Sequence, residues 1–409
     1  MKIFGLEIKR SVPYVDATKG FMQTFFGKVG NIGSSSVNED TVLGLSAYWA
    51  GVRRISESVA MLPVDVIRKN EGNRTPVVHL SEQLLNKEAN FKTIAFDFKQ
   101  NLITSAINWG NGYALIERDA NYNPTALINI EAEYVKPIIY DEELWWSVTN
   151  TGDKKLLVRD RDMINLRGFG TDEILGLSAI KYHSLNLGLS LAAQQYGADF
   201  YNKGTRLDGY IEYQGRLDGA VKQRIKQQWD TNYGANGNGG TAILDNGTKY
   251  TRLGMPPEDA QFIETRKFQK NEIATILGIP PYMINEMGEA TYNNVEHQGI
   301  EFVTYSLGSW IEKLEQEYSR KLLREDEKQD HYYKHNVNRL LRTDVKARAE
   351  FYRLMSDVGV YSINEIRSFE DMNPIENGDQ RFIQLNRVEL SIAKEYYERD
   401  NESSGNQSD

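Results

Sequence analysis

The chain of 409 residues contains no cysteine. That excludes disulfides and thiolate chemistry and is compatible with a reducing compartment. No apolar run reaches the ~18 residues of a membrane span. The N-terminus lacks an apolar core followed by a small-residue cleavage site, so neither a membrane span nor secretion is expected. A Gly-x-Ser-x-Gly nucleophile turn is missing, and the acidic residues sit mostly in helix-surface patterns. A two-metal centre would need carboxylates converging from several elements, and nothing in their order favours one. Histidine is scarce, with five in all. His79, His183 and His297 stand alone. His331 and His335 form H-x-x-x-H without a catalytic Glu between them, in surroundings that are not clearly helical, so a structural or surface pair is expected. The glycine-rich GANGNGG at 234–240 lacks the Lys-Ser/Thr of a phosphate loop and leads into a strand, so it reads as a flexible loop. A basic surplus is lacking too: 48 Lys and Arg stand against 57 Asp and Glu, for a net charge of −9. That argues against a surface that grips nucleic acid everywhere, though not against one past which DNA slides. Catalytic residues, a metal site and a cofactor are therefore not assigned.

What is present is an ordinary globular balance, 40% hydrophobic and 26% charged, long enough for one large or two to three smaller domains. Residues 1–38 have little periodicity and read as a flexible N-terminal arm. A helix over 41–61 would carry Val42, Leu45, Trp49, Val52, Ser56 and Val59 on one face, with Asp40 or Thr41 as N-cap and Pro63 as its stop. A second, over 93–109, would use Ile94, Phe98, Leu102, Ala106 and Trp109, stopped by Gly110. From 112 to 166, YALIER, TALINI, VKPIIY, LWWSVT and KLLV are short strands separated by turn residues. In LWWSVT, Trp145 and Trp146 must point to opposite faces. The outward ring is either a subunit contact or covered within the same fold. A helix over 177–203 follows, then a small α/β unit at 205–254 with GYIEY, a helix through Val221, Ile225, Trp229 and Tyr233, and KYTRL. HYYKHNVNRLL reads as a strand and turn. Helices at 343–358 and 362–371 follow, the latter opened by a Ser362/Glu365 capping box. ERDNESSGNQSD is a polar tail. Arg53 and Arg54 read as intersubunit or surface ion pairs.

The richest segment runs from Pro257 to Arg324. It reads as a helix, a Gly278-Ile279-Pro280-Pro281 stop, a polar loop and a long amphipathic helix. The last places Ile300, Val303, Leu307, Trp310, Ile311, Leu314, Tyr318 and Leu322 on one stripe, with Glu296, Glu301, Glu312, Glu315 and Glu317 largely off it. This segment resembles the stem helix, tunnel loop and long kinked helix of the tailed-bacteriophage portal (head–tail connector) family, of the siphophage type. The resemblance continues through LGLSAYWAGVRRISESVAMLPVDVIRK, NWGNGYALIERDANYNPTALINIEAEYVKPI, GLSAI and LLRTDVKARAEFYRLMSDVGVYSINEIRSFEDMNPIENGD. It thus covers roughly residues 40 to 385 in collinear order.

The resemblance implies an α+β portal fold assembled as a ring. Residues 39–176 with 326–342 would form a wing, 177–203 and 257–281 two stem helices, and 204–256 a small α/β clip between them. Residues 282–293 would be the tunnel loop, 294–325 the long wing helix, 343–385 a helical crown and 386–409 a C-terminal helix end and polar tail. The implied role is a dodecameric DNA channel at one capsid vertex. It would serve head assembly, genome packaging, DNA retention and ejection, and tail attachment. Partners would be further copies of the chain, double-stranded DNA, the large terminase subunit, a head–tail adaptor, and major capsid and scaffolding proteins. No membrane, cofactor or catalysis of its own is implied, since ATP chemistry belongs to the terminase in this family. The location would be the virion, after synthesis in the host bacterial cytoplasm. Twelve chains would carry roughly −110 charges, and an acidic wall repels phosphate.

Carried onto this sequence, the loop lining the channel would include Asn285, Glu286, Met287, Gly288, Glu289, Tyr292 and Asn293, the other reading being an ordinary interhelical loop. Arg266, Lys267 and Lys270 are either weak phosphate contacts in the channel or a solvated face paired with Glu264 and Glu272. The clip's partner surface would include Lys222, Lys226 and Trp229. The competing classes are another ring-forming head–tail adaptor, disfavoured by length and by the stem bracketing an insertion, and a phage DNA-processing enzyme, disfavoured by the missing catalytic motif.

Overall fold

The computed structural model describes residues 2–3, 6–7, 12–13, 37–70, 72–149, 155–202, 209–213, 218–220, 223, 227, 248–252, 259–284, 299–337, 340, 345–370 and 372–382. The chain divides into two compact units, Met1–Val337 and Asn338–Asp409.

The first unit opens with a two-residue pair, β1 (Lys2–Ile3) and β2 (Leu6–Glu7), and a short β3 (Val12–Pro13). Helix α1 (Glu39–Leu43) is capped by Asn38, whose side chain accepts from the Thr41 amide while the Thr41 hydroxyl accepts from the Asn38 amide. The expected single helix breaks at Gly44, and α2 (Ser46–Ala60) starts afresh. Its buried face is Tyr48, Val52, Ile55, Ser56 and Val59. Trp49, expected inside, is 53% exposed. Tyr48 and Ile55 widen the apolar face on the side away from Trp49, and 100° per residue then puts the indole at its margin.

Strands β4 (Val64–Asn70) and β5 (Asn73–Val77), helix α3 (Leu80–Asn86) and the pair β6 (Glu88–Asn90) and β7 (Thr93–Ile94) lead into helix α4 (Ala95–Trp109). Gly110, at φ 91°, ends α4 in the left-handed conformation. Phe98, Leu102, Ile103 and Ala106 of α4 are buried and α4 packs on α2, whereas Ile94 and Trp109 at its two ends are outside. Tyr48 donates to Asn108 at 3.0 Å across that interface. Glu39 takes hydrogen bonds from Asn108 and from the Trp109 indole, which ties α1 to the end of α4.

Next come β8 (Asn111–Arg118), β9 (Pro124–Ile130), β10 (Val135–Tyr140), β11 (Glu143–Thr149), β12 (Lys155–Arg159) and β13 (Met163–Arg167). They form two antiparallel sheets, ordered β13-β8-β9 and β12-β11-β10-β3. The sheets meet over Tyr113, Val135, Trp146, Val158 and Met163, with the Tyr113 and Trp146 rings 5.1 Å apart. Trp146 is fully buried. Trp145 takes the other face as the alternation requires, half-buried, with the Arg159 guanidinium 5.4 Å over its ring.

Helices α5 (Ala179–Tyr182) and α6 (Ser184–Asn202) precede the antiparallel pair of β14 (Gly209–Tyr213) and β15 (Thr248–Arg252). Helix α7 (Asp259–Leu277) returns alongside α6. Its end is seated on α2 at Gly51, where any Cβ would lie 2.3 Å from the Leu277 side chain and 2.9 Å from that of Ile279.

The long helix departs from its expected stripe. Phe302–Leu307 is π-helical and continues into α8 (Gly308–Lys321). Wider π turns change the phase. Phe302, Ser306 and Leu307 therefore face inward and Ile300 is 50% exposed, while Ile311, Leu314, Tyr318 and Leu322 keep their buried places. Trp310 is only half-buried. Glu315 and Glu317, expected off the stripe, point into the fold. Strand β16 (His331–His335) then returns to pair antiparallel with β4, completing the sheet β16-β4-β5.

In the second unit, α9 (Val345–Asp357) and α10 (Ile363–Phe369) are held by Phe351, Tyr352, Tyr361 and Phe369. Ser362 and Glu365 make the expected capping box. Among the described residues the strand pairings are antiparallel and helices share the core with them, which is the α+β class expected.

Candidate functional site

The two helices expected as a stem run antiparallel. Asn186 donates to Glu272 at 3.0 Å, and one turn further Gln269 reaches the Leu189 carbonyl at 3.4 Å. Leu187 and Ser190 of α6, and Ile273 and Ala274 of α7, are buried. The pair also carries exposed apolar side chains: Leu185 at 44%, Leu189 at 50% and Phe268 at 64%. Arg266 and Lys267 are exposed beside Phe268, and Lys270 is half-buried. Glu272, offered as an ion-pair partner for these cations, is engaged by Asn186. Among the described residues, Arg266 and Lys267 form no ion pair.

The approach to the polar loop is firmly built. Gly278, at φ 64°, ends α7, and the Ile279 amide returns to the Ala274 carbonyl. Ile279 and Ile284 are buried, and a short turn spans Pro281–Ile284. Ser306, from the π-helical segment, donates to the Gly278 carbonyl at 2.6 Å. The chain is thus fixed on both sides of the loop, at Ile284 and from Phe302 onward. Asn285, Glu286, Met287, Gly288, Glu289, Tyr292 and Asn293 lie outside the described residues, as do Lys222, Lys226, Trp229, the GANGNGG loop and His297.

The remaining histidines do not converge. His331 meets Asp330 at 2.6 Å, whereas His335 is buried against Glu315 at 3.3 Å. His79 caps α3 through the Ser81 amide and meets Glu327 at 3.4 Å. Among the described residues no group of three His, Asp or Glu side chains is placed to hold a metal ion. Arg53 forms an exposed i,i+4 pair with Glu57 at 2.7 Å.

Spacing alone missed a polar core beneath α8. Glu315 accepts from the His335 amide at 2.7 Å and from Lys334 at 2.9 Å. Burial pushes its carboxyl up, but the bonds from His335 and Lys334 outweigh that and leave it below the ordinary carboxylate value. Burial also pushes the His335 ring down, against the pull of Glu315. Two residues on, Glu317 accepts from the Asn165 amide, and burial raises its carboxyl. Lys321 is buried on Asp160, and Arg118 bridges the Lys321 carbonyl to Asp162. These groups fasten α8 to β13 and β16. The signal passed over by placing Glu315 off the stripe was its spacing, four residues after Ile311 and three before Tyr318, both buried.

This architecture agrees with that of known proteins. The family description "Phage portal protein" matches residues 46–371. A probable portal protein of Streptomyces phage phiC31 is 29% identical over 85% of this chain and 80% of its own. The portal protein of Enterobacteria phage HK97 is 25% identical over 88% of this chain and 87% of its own. Among solved structures, a chain from the neck of an empty gene transfer agent particle, determined with C6 symmetry, aligns at a TM-score of 0.59 and 22% identity. That alignment covers 90% of this chain and 96% of the other. An HK97-family phage portal protein from Corynebacterium diphtheriae aligns at 0.55 and 14% identity, over 76% and 99%. The match spans the helix α2, strands β4 to β13, the α6–α7 pair, the pinned loop entrance and α8, and so this chain belongs to the phage portal protein family.

Proposed function

We propose that the chain assembles into a dodecameric ring at one vertex of a tailed-phage capsid and forms the channel for double-stranded DNA. The observation that carries this reading is the collinear family match across residues 46–371, joined to a fold shared with chains from particle necks. The neck of a native gene transfer agent particle, one of these, was solved with C12 symmetry. In this reading the α6–α7 pair is the stem, β14–β15 the base of the clip, and the loop after Ile284 the narrowest part of the channel. The ring would nucleate head assembly with scaffolding and major capsid proteins, dock the large terminase subunit during packaging, then retain the genome and hold the adaptor and tail. ATP hydrolysis is assigned to the terminase, and none to this chain.

The test is the particle itself. Twelve chains of 46.8 kDa make a ring of roughly 560 kDa with a central hole. Light scattering and negative-stain microscopy of the purified protein should find both. A monodisperse monomer or dimer would return the reading to a DNA-processing enzyme or another connector protein.

A further inference from the structure

The outward face of the sheet β12-β11-β10-β3 carries charge opposite in sign to that of the whole chain. Val135, Trp146 and Val158 take the inner face. Alternation and register then put Lys136, Ser147 and Leu157 in one outward row, and Ile138, Trp145 and Arg159 in the next. Lys155, opposite Thr149, falls on the same face. Lys136, Lys155 and Arg159 are exposed, and among the described residues none of them forms an ion pair. The described carboxylate on this face is Glu143, opposite Tyr140. The chain as a whole has 48 basic and 57 acidic residues. Charges at sheet edges discourage pairing with further strands, which is one use for these cations. Either sign serves that end, so it explains neither the choice of three bases nor the setting of Arg159. Its guanidinium lies 5.4 Å over the Trp145 ring. A guanidinium stacked on an aromatic face is held in place while its N–H donors, which lie in its own plane, stay available. With no carboxylate to take them, they suit the bidentate acceptance of a phosphate.

Spacing selects the kind of anion. Lys155 and Arg159 stand four residues apart on one strand, about 13 Å at ~3.3 Å per residue. Lys136 lies two strands away with a two-residue offset, about 12 Å from each of them. One phosphate cannot span that, so each cation meets its own, and the fitting ligand is a chain of phosphates. The Trp145 ring is half-buried beneath Arg159, a poor platform for an unstacked base. Contact through the backbone alone carries no sequence information and suits an intact duplex.

We propose that this sheet face, through Arg159, Lys136 and Lys155, binds the phosphodiester backbone of duplex DNA, as a contact surface additional to the channel. The choice of DNA among polyanions rests on the reading proposed above; the charge geometry does not. Covalently closed duplex circles are the probe, since they cannot thread a closed ring. The purified protein is sized by light scattering and titrated with labelled circles over a range of salt. Three phosphate contacts per engaged copy give a log–log salt slope of about −2.7, or about 40-fold weaker binding at ~200 than at ~50 mM. Lys136→Gln, Lys155→Gln and Arg159→Gln should each take about 0.9 from that slope. The triple variant should bind at least about tenfold more weakly at ~50 mM with unchanged melting. Trp145→Leu should weaken binding but keep the slope, because Arg159 stays charged and is no longer held. Wild-type protein that binds no circles, or a slope that the triple variant leaves unchanged, overturns the proposal. So does poly-glutamate that displaces the circles at equal charge concentration, which would make the partner an acidic protein. A correctly sized ring without circle binding sinks this surface and leaves the ring standing. A smaller particle that binds circles through these three residues sinks the ring and leaves the surface.

Discussion

At the residue scale, Glu315 is the side chain with most depending on it. It is 6% exposed and serves the His335 amide, the His335 ring and Lys334. Glu315→Gln keeps the shape but replaces charge-assisted bonds with weaker ones and turns a donor group toward donors. A loss of about 1–3 kcal/mol in urea unfolding is expected, the cost of leaving buried partners unsatisfied. pH adds a second signature. His335 is held below its ordinary 6.5 by burial, so the folded state resists its protonation. The unfolded chain takes up the proton first as pH falls. Stability is therefore complete above about 6.5 and declines as pH drops through the window down to the lowered folded value. Glu315, below its ordinary 4.5, adds a further decline under that value. Melting temperatures measured from pH 8 to 4 should fall in those two windows, and His335→Gln should flatten the upper one. An unchanged upper slope in that variant would assign the proton uptake elsewhere.

At the element scale, the long helix carries its load unevenly. Leu314 is fully buried between α8 and the sheet, and truncation to Ala should cost about 2–5 kcal/mol, as for other buried leucines. Trp310, expected on the stripe, is half-buried beneath Lys313, whose ammonium lies 5.5 Å from the ring centre while donating to the Arg167 and Gly168 carbonyls. Trp310→Ala should cost less than Leu314→Ala despite the larger side chain. Paired denaturation curves decide the order, and the reverse order would mean that the indole is covered on its outer side. The reason is the π-helical segment. Its extra residue per turn lets Ser306 reach the Gly278 carbonyl, which fastens the end of one helix to the start of the other around the loop.

At the scale of the whole molecule, the ring proposed above would assign assembly to the α6–α7 pair and passage of DNA to the segment after Ile284. Leu185, Leu189 and Phe268 are large, apolar and exposed on two packed helices, the kind of surface that subunits cover. Phe268→Asp should leave the melting of β16-β4-β5 and its neighbours unchanged but shift the particle from ring to smaller species in light scattering. Intact rings would place the subunit contact away from this part of the stem. Shortening the loop around Gly288 has the opposite expectation. The segment contains no Lys or Arg between Asn285 and Asn293, so strong phosphate binding with its steep salt dependence is not expected of it. Rings should form, and packaged genomes should leak or fall short when their length is measured in particles. Full-length, stably held DNA would locate the constriction elsewhere.

The sequence by itself determined the elements and the family. Capping pairs such as Ser362/Glu365, the left-handed stop at Gly110, the period-two strands and the apolar steps from Ile311 to Leu322 are local signals, read from neighbours a few residues apart. The ordered series of such segments carried the resemblance. What only the tertiary structure decided depends on partners distant in the chain. Trp49, Ile94 and Trp109 satisfied helical spacing, yet lie outside because the face of each helix is fixed by what it packs on. Glu315 and Glu317 looked like solvent-facing charges until β16 and β13 supplied amides to them. The π-helical turns bury Phe302, Ser306 and Leu307 and bring Ser306 to the Gly278 carbonyl, a partner far along the chain that helical spacing does not record. Periodicity records which residues can share a face, whereas burial is settled by the surface that arrives to cover it.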